Sequence, residues 1–268
     1  MTQLPRRWVE KPWGRDILPP PFSDTTGKRI GEVWFDPPAA LPSVLVKYIF
    51  TSEKLSVQVH PTDEQARALG EHELGKEECW LVIDAAPNAV LGVGFHEAID
   101  TATMRQAALD GTIEQMLSWY PVQAGDFFYI PAGTVHAIGG GVSLLEIQQN
   151  SDLTYRLYDY GRPRELHIDK GFAVAKGEPY PSSLHRRLKD GETVQLLDGD
   201  HMTAHRVCGV PDHAILDQYS GPTLILPREG SVVVNGERLH PGDCGLAGSM
   251  GQVSFDQSQS CIVVGVPA

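Results

Sequence analysis

The sequence predicts a mainly β, turn-rich fold of short paired strands, and three observations carry that reading. Its 268 residues include 27 glycines and 20 prolines but only 8% aromatic side chains. That excess of turn formers disfavours a helix bundle, yet stays below the composition of low-complexity chains. Short apolar runs also recur with period-two alternation, and Gly, Pro, Asn or Asp bound most of them. The length suits one large domain or two small ones and is ample for a buried core.

Charge and cysteine usage narrow the class. With 22 basic and 34 acidic side chains the formal charge is −12, which argues against a nucleic-acid or anionic-membrane partner because like charges repel. No apolar run approaches the roughly 18 residues of a membrane span. The opening MTQLPRRWVEKPWG has basic residues but no apolar stretch of a secretory signal. Cys79, Cys208, Cys244 and Cys261 lie far apart with no CxxC pair, and they read as reduced thiols of a cytoplasmic protein.

Taken in order, residues 44–60 (VLVKYIFTSEKLSVQVH) read as two strands joined by the polar turn Thr51-Ser52-Glu53-Lys54. The second alternates, with Leu55, Val57 and Val59 on one face and Ser56, Gln58 and His60 on the other. Pro61 ends it, and Thr62-Asp63-Glu64 opens a short helix with an acidic first turn. A strand resumes at Glu78. Residues 100–119 are helical, interrupted at Asp110-Gly111. Residues 125–149 read as strand, Pro-Gly turn, strand, glycine turn, strand, with glycines 139–141 free to take the positive φ of a hairpin connection. Residues 160–190 look irregular, and strands return from about 191, with Asn235-Gly236 as a hairpin turn. Leu239-His240-Pro241-Gly242-Asp243 echoes Val122-Gln123-Ala124-Gly125-Asp126, which hints at a duplicated β unit.

The most distinctive segment runs from Gly125-Asp126 through Pro131-Ala132-Gly133 to His136. It matches the second cupin motif, G-x5-P-x-G-x2-H, although Gly140 stands where that motif has Asn. Cupins are double-sheet jelly rolls (double-stranded β-helices) whose barrel mouth commonly holds a metal. Gln58 and His60 share one strand face, and Glu78 follows His60 by 18 residues. Two imidazoles, a carboxylate and an amide oxygen suit Zn²⁺ with a position left for water or substrate. The same set accommodates Fe(II) or Mn²⁺, so spacing leaves the metal open.

A bland reading stands beside each residue. An alternating Ser-Gln-His face is most often the wet side of a sheet, and Glu78, in Lys76-Glu77-Glu78, would usually be a solvated charge. Coincidence shifts the balance, because His60, Glu78 and His136 all fall where a cupin barrel converges. His72, His96, His167, His185, His201, His205, His213 and His240 lack that placement and are expected at the surface.

The stretches LSVQVHPTDEQA, GKEECW and PAGTVHAIGGGVSLLEIQQNSDLTYRLYDYGR resemble the short bacterial form of type I mannose-6-phosphate isomerases. Lys11-Pro12-Trp13-Gly14 and Gly31-Glu32-Val33-Trp34 are similar to that family's N-terminal segments. The likeness covers roughly residues 8–165 and is faint beyond about 190. It implies one Zn²⁺ per chain, held by Gln58, His60, Glu78 and His136. It also implies that Arg156 is an active-site residue and that Ser56 and Lys76 line the same pocket. The implied activity is isomerisation of mannose 6-phosphate and fructose 6-phosphate through an enediol. Lys76, Asp152 or a zinc-bound water are its candidate proton carriers, with Arg156 stabilising the enediolate or the phosphate. The partner is then a small sugar phosphate, with oligomeric state left open, and the product serves either GDP-mannose synthesis or the entry of mannose into glycolysis. The expected organisation is a catalytic cupin over 1–165 with a helical insertion at about 100–119, a connecting segment over 166–190, and a degenerate C-terminal cupin-like unit over 191–268. The rival readings are a non-catalytic sugar-binding cupin and a different metal-dependent cupin enzyme such as an Fe(II) oxygenase.

Overall fold

The computed structural model describes residues 2–23 and 27–267. Two antiparallel sheets face one another to form the expected cupin jelly roll. The larger has seven strands, in the order Arg6–Arg15, Ile30–Phe35, Val44–Phe50, Val142–Gln149, Glu78–Ala85, Asp126–Ile130 and His185–Arg187. The smaller has five, in the order Tyr155–Tyr158, Val57–Val59, His136–Ile138, Val90–Phe95 and Leu117–Pro121. The C-terminal sheet contains Val194–Asp198, Thr203–Val207, Val253–Gly265, Thr223–Val234 and Glu237–Leu239 in that order, with Gly245–Ala247 paired to Thr223–Val234.

The central strands of the large sheet are covered on both faces, which explains their nearly unbroken apolar runs. All seven residues of Val44–Phe50 are buried. Val44, Val46, Tyr48 and Phe50 pack in one core with Leu145 and Ile147, and with Leu196, Met202, Leu224 and Ile262 of the C-terminal sheet. Ile49 belongs instead to a second core with Trp80, Leu144 and Ile138 between the two jelly-roll sheets. The same alternation turns Lys47, Glu78 and Glu146 inward.

The helical insertion forms as Thr101–Asp110 and Ile113–Met116, with Gly111 terminating the first helix at φ +85°. It ends short of the expected 119, because Leu117–Pro121 pairs with Val90–Phe95 as an edge strand. Met104, Ala107 and Ala108 pack with Val57, Val59 and Leu157 and so cover the outer face of the small sheet. Thr62 caps Asp63–Ala68 in a capping box with Gln65. Within 166–190, helix Ile168–Val174 packs with the same group, while His185–Arg187 extends the large sheet beside Asp126–Ile130.

Two expected hairpins are crossovers instead. Val44–Phe50 and Val57–Val59 belong to different sheets, and the intervening Thr51 is buried, its hydroxyl donating to Gly139 O at 2.7 Å. Glycines 139–141 likewise carry the chain between sheets. Only Gly141 has positive φ, +79°; at Gly139 a Cβ would stand 2.3 Å from Val90 O, so close backbone approach is its reason for being glycine. The echo between the two halves is real in three dimensions. Gly125 and Gly242 have φ of +90° and +87°, and Asp126 and Asp243 accept from the backbone N–H three residues upstream at 2.8 and 2.9 Å.

One expectation fails among the histidines. His205 is buried, and its Nδ1 lies 2.8 Å from the Tyr219 hydroxyl. It sits mid-strand in a sheet packed on both sides, and a polar partner satisfies it there. His167, His185 and His201 are half-buried; His72, His96, His213 and His240 are exposed.

Candidate functional site

Between the two sheets, at one end, opens a cavity of about 350 Å³. Against two of its lining residues, Gln58 and Lys76, stand three buried side chains from three different strand ends. Glu78 begins its strand, His60 follows Val57–Val59, and His136 begins the strand after the Pro131–Gly133 corner. That corner is docked on the first histidine: Gly133, at φ +87°, donates its N–H to His60 O at 2.8 Å. Gln58 pairs with His136 in register.

His60, Glu78 and His136 each present a ligand atom within 4.8 Å of the others, and all three are buried. His60 Nε2 lies 3.5 Å from Glu78 Oε2, and His136 Nε2 lies 3.4 Å from Glu78 Oε1. Two metal–ligand bonds of about 2.0–2.1 Å at a tetrahedral angle place their ligand atoms roughly 3.4 Å apart. The ring geometry agrees with ligation. His60 Nδ1 is 2.7 Å from Leu153 O and His136 Nδ1 is 2.9 Å from Thr134 O. A carbonyl can only accept, so each Nδ1 carries the proton and each Nε2 lone pair faces the cluster. Both Glu78 oxygens are buried; Lys76 Nζ stands 2.8 Å from Oε2, and Oε1 has no hydrogen-bond partner among the described residues. An acceptor-only carboxylate and two inward lone pairs, mutually close and buried, are the donor set of a cation site. Gln58 Nε2 lies 3.2 Å from His136 Nε2, and Gln58 Oε1 accepts from the Ser56 hydroxyl at 3.3 Å; half a turn of the amide would present its oxygen to the cluster.

Electrostatics reinforce this. Burial lowers the pKa of His60 well below the ordinary imidazole value, and Lys76 and His136 lower it further. Burial also lowers that of His136, against the pull of Glu78. Burial pushes Glu78 up, but the Lys76 ammonium, 2.8 Å from Oε2, and other cations outweigh it, so the carboxyl lies below its usual range. The unfolded imidazoles titrate near 6.5. As pH falls through about 6.5, the unfolded chain therefore gains protons that the folded histidines refuse, and stability declines toward their depressed folded values. Protons also compete with a cation for the same Nε2 atoms. Bound metal and melting temperature, followed from pH 8 to 5, should thus be flat in these groups above about pH 7 and fall together below about 6.5. A His136→Ala protein should show a shallower fall.

The structure brings every other candidate from the sequence to this cavity. Ser56, Gln58, Lys76, Asp152 and Arg156 all line it. Lys76, 5% exposed, lies 3.2 Å from His60 Nε2. Asp152 stands exposed at the rim. Arg156 donates to Glu165 O at 2.7 Å, while its Nε is buried with no hydrogen-bond partner among the described residues.

Sequence reasoning missed a row of charges along the cavity, with Glu32, Lys47 and Glu146 buried and Lys11 half-buried. Lys47 Nζ lies 2.8 Å from Glu146 Oε1 and 3.8 Å from Glu32 Oε1, and Lys11 Nζ lies 3.3 Å from Glu32 Oε2. Trp80 and Trp34 donate their indole N–H to Glu146 and Glu32 at 3.2 and 3.1 Å. Burial alone would discharge Lys47, but Glu146 and Glu32 outweigh it and hold its pKa above the ordinary value. The overlooked signal was a lone charge inside an apolar run: Lys47 in VLVKYIF and Glu146 in VSLLEIQQ.

The chain is 36% identical over 234 residues to mannose-6-phosphate isomerase ManA of Bacillus subtilis, a match covering 82% of this chain and 74% of that one. The chain belongs to the mannose-6-phosphate isomerase family. A second member, mannose-6-phosphate isomerase of Streptococcus mutans, is 39% identical over 216 residues, covering 75% of this chain and 66% of that one. Among solved structures, the mannose 6-phosphate isomerase from Bacillus subtilis superposes with a TM-score of 0.83 at 25% identity, covering 99% of both chains. Another mannose 6-phosphate isomerase, in a zinc-bound form, shares the fold at TM-score 0.74 and 14% identity, covering 100% of this chain and 99% of that one. No protein-family model matches the chain. The family is one of enzymes with a mainly β fold, and a metal at His60, Glu78 and His136 fits this member's geometry. No helix of the described residues is long and apolar enough to cross a membrane.

Proposed function

We propose that this chain is a zinc-dependent aldose–ketose isomerase interconverting mannose 6-phosphate and fructose 6-phosphate through an enediol. The observation that carries the reading is the buried His60–Glu78–His136 cluster beside a cavity lined by cations, in a chain whose relatives bear that activity's name. Gln58, His60, Glu78 and His136 would hold one Zn²⁺ per chain. When bound, it supplies Lewis-acid polarisation of the sugar oxygens at C1 and C2 without redox chemistry.

The chain's own residues then move protons and hold the substrate. Isomerisation removes the proton from C2 while O1 gains one, which leaves a C1–C2 enediol; C1 then gains a proton as O2 loses one. Glu146 is a candidate base, a buried carboxylate on the cavity lining that Lys47 holds by an ion pair at Oε1, 2.8 Å away. Lys76 is a candidate proton donor to the oxygens, since its ammonium stands against Glu78 beside the cluster. Asp152, at the exposed rim, can serve only a substrate atom lying away from the buried cluster. Four unpaired cysteines, three of them buried, support a reducing, cytoplasmic setting.

Five cations line the cavity: Lys11, Lys47, Lys76, Arg156 and Arg164. Four pair with carboxylates, Arg164 through Asp159, but Arg156 has no carboxylate partner among the described residues. It is the cation left to grip a substrate phosphate, which a guanidinium can do through two parallel hydrogen bonds. A charge-assisted bond contributes about 1.5–3 kcal/mol. Arg156→Ala should therefore raise KM for mannose 6-phosphate about ten- to a hundredfold and narrow the preference over unphosphorylated mannose. Steady-state kinetics with both sugars checks this, and an unchanged kcat/KM would remove Arg156 from the site. The activity itself is tested by a coupled assay for fructose 6-phosphate, with chelator and then with zinc or iron restored; turnover recovered by iron alone would replace the zinc reading.

A further inference from the structure

The geometry points to Asp63 as a positioning residue that holds Lys76 and Glu78 in register with His60, an inference that rests on the isomerase reading above. The problem it solves is topological. His60 follows a strand of the small sheet and Glu78 begins a strand of the large one. No β-ladder joins these two strands, so sheet pairing does not set the distance between the two side chains. Their separation of 3.5 Å must be held by something else.

The connecting segment supplies a set of cross-struts, and Asp63 is their common point. Its Oδ1 accepts from Gly75 N at 2.7 Å and from Gln149 Nε2 at 2.9 Å. Gln149 closes the lattice, because its Oε1 accepts from Glu77 N at 2.9 Å and its own N–H donates to Glu77 O at 3.0 Å. Between them, Lys76 N donates to Pro61 O at 2.9 Å, one residue beyond His60. Residues 75, 76 and 77 are thus each tied by their backbone N–H, two of the three through the Asp63–Gln149 pair. The approach is close enough that a Cβ on Gly75 would stand 2.3 Å from Thr62 C.

Asp63 is itself well anchored. It is the first residue of Asp63–Ala68, behind the Thr62 capping box, and Gln149 ends a central strand of the large sheet. One carboxylate oxygen therefore links the histidine-bearing segment, the Lys76-bearing segment and the large sheet. Asp63 does not line the cavity, so it acts on the reaction only through the groups it places. A displacement of about 1 Å at reacting groups can cost on the order of a hundredfold in rate, and loss of an outer partner of a metal ligand about ten- to a hundredfold in metal affinity.

The test uses the full chain. Asp63→Ala should saturate with zinc at wild-type stoichiometry and melt cooperatively, but lose zinc to a competing chelator about tenfold more readily. Its kcat for mannose 6-phosphate should fall about ten- to a hundredfold with KM within about threefold. Amide exchange at Gly75, Lys76 and Glu77 should accelerate. Asp63→Asn keeps an oxygen that can accept both hydrogen bonds and should restore kcat to within about threefold of wild type. Should Asp63→Ala not fold, Gln149→Met decides, since it removes the Gln149–Asp63 and Gln149–Glu77 side-chain bonds, leaving Asp63 bonded to Gly75 alone, and should lower kcat in the same direction. A folded Asp63→Ala with wild-type kcat and wild-type exchange at 75–77 overturns the inference, as does Gln149→Met with wild-type kcat. A wild-type chain without turnover would instead sink the isomerase reading, and the exchange and chelator measurements would still decide the positioning role.

Discussion

Replacing His136 with alanine will give a folded protein that has lost its metal and its activity. His136 sits at the centre of the cluster, with Nε2 3.4 Å from Glu78, its ring centroid 4.9 Å from that of His60 and 5.3 Å from that of Trp80. Removing it leaves three of the four proposed protein donors and a buried carboxylate with one partner fewer, so affinity falls steeply. Catalysis should drop by at least about 10²–10³-fold, the scale of losing one electrostatic stabiliser of a developing oxyanion. His60→Ala should behave alike. Melting should stay cooperative, because the flanking apolar cores do not depend on the ion. Elemental analysis alongside the fructose 6-phosphate assay checks this, and a metal-free His136→Ala protein with full activity would falsify the metal assignment.

Truncation after residue 190 will have the largest effect on stability while removing none of the proposed ligands. The C-terminal unit covers the outer face of the large sheet, where Val46, Tyr48, Phe50, Leu145 and Ile147 are each no more than 2% exposed. Arg228 also donates to the Tyr48 hydroxyl at 3.0 Å. Exposing five such side chains at about 1.5–3 kcal/mol each costs roughly 7–15 kcal/mol. That rivals the entire stability of about 5–15 kcal/mol expected of a domain. Residues 1–190 should therefore aggregate or remain only partly folded, as solubility and circular dichroism would show. A soluble, fully active 1–190 would mean that the C-terminal unit is an independent appendage.

The two effects differ in kind because the metal cluster and the sheet backing occupy opposite faces of the same strands. Leu45, Lys47 and Ile49 alternate with Val46, Tyr48 and Phe50, so one strand serves the cavity and the interface at once. This is also why Lys47 was hard to read. In a strand buried on both faces the hydrophobic pattern no longer distinguishes in from out, and a charge in such a run announces only that a polar partner must exist. Its partner, Glu146, is directly opposite it on a strand nearly a hundred residues away.

What the sequence determined by itself was local. Period-two alternation placed Gln58 and His60 on one face, the Thr62–Gln65 spacing started a helix, and Pro131-Ala132-Gly133 set His136 at a corner. Each depends on neighbours within a few residues, where backbone stereochemistry and periodicity dominate. Only the tertiary structure decided which sheet each strand joined. It turned two apparent hairpins into crossovers, buried His205 against Tyr219, and lined Lys11, Glu32, Lys47 and Glu146 along the cavity. It likewise brought Asp63 and Gln149, 86 residues apart, onto one oxygen. Strand order and register arise from pairing between distant segments, and the free energy that selects them is the burial of both faces at once.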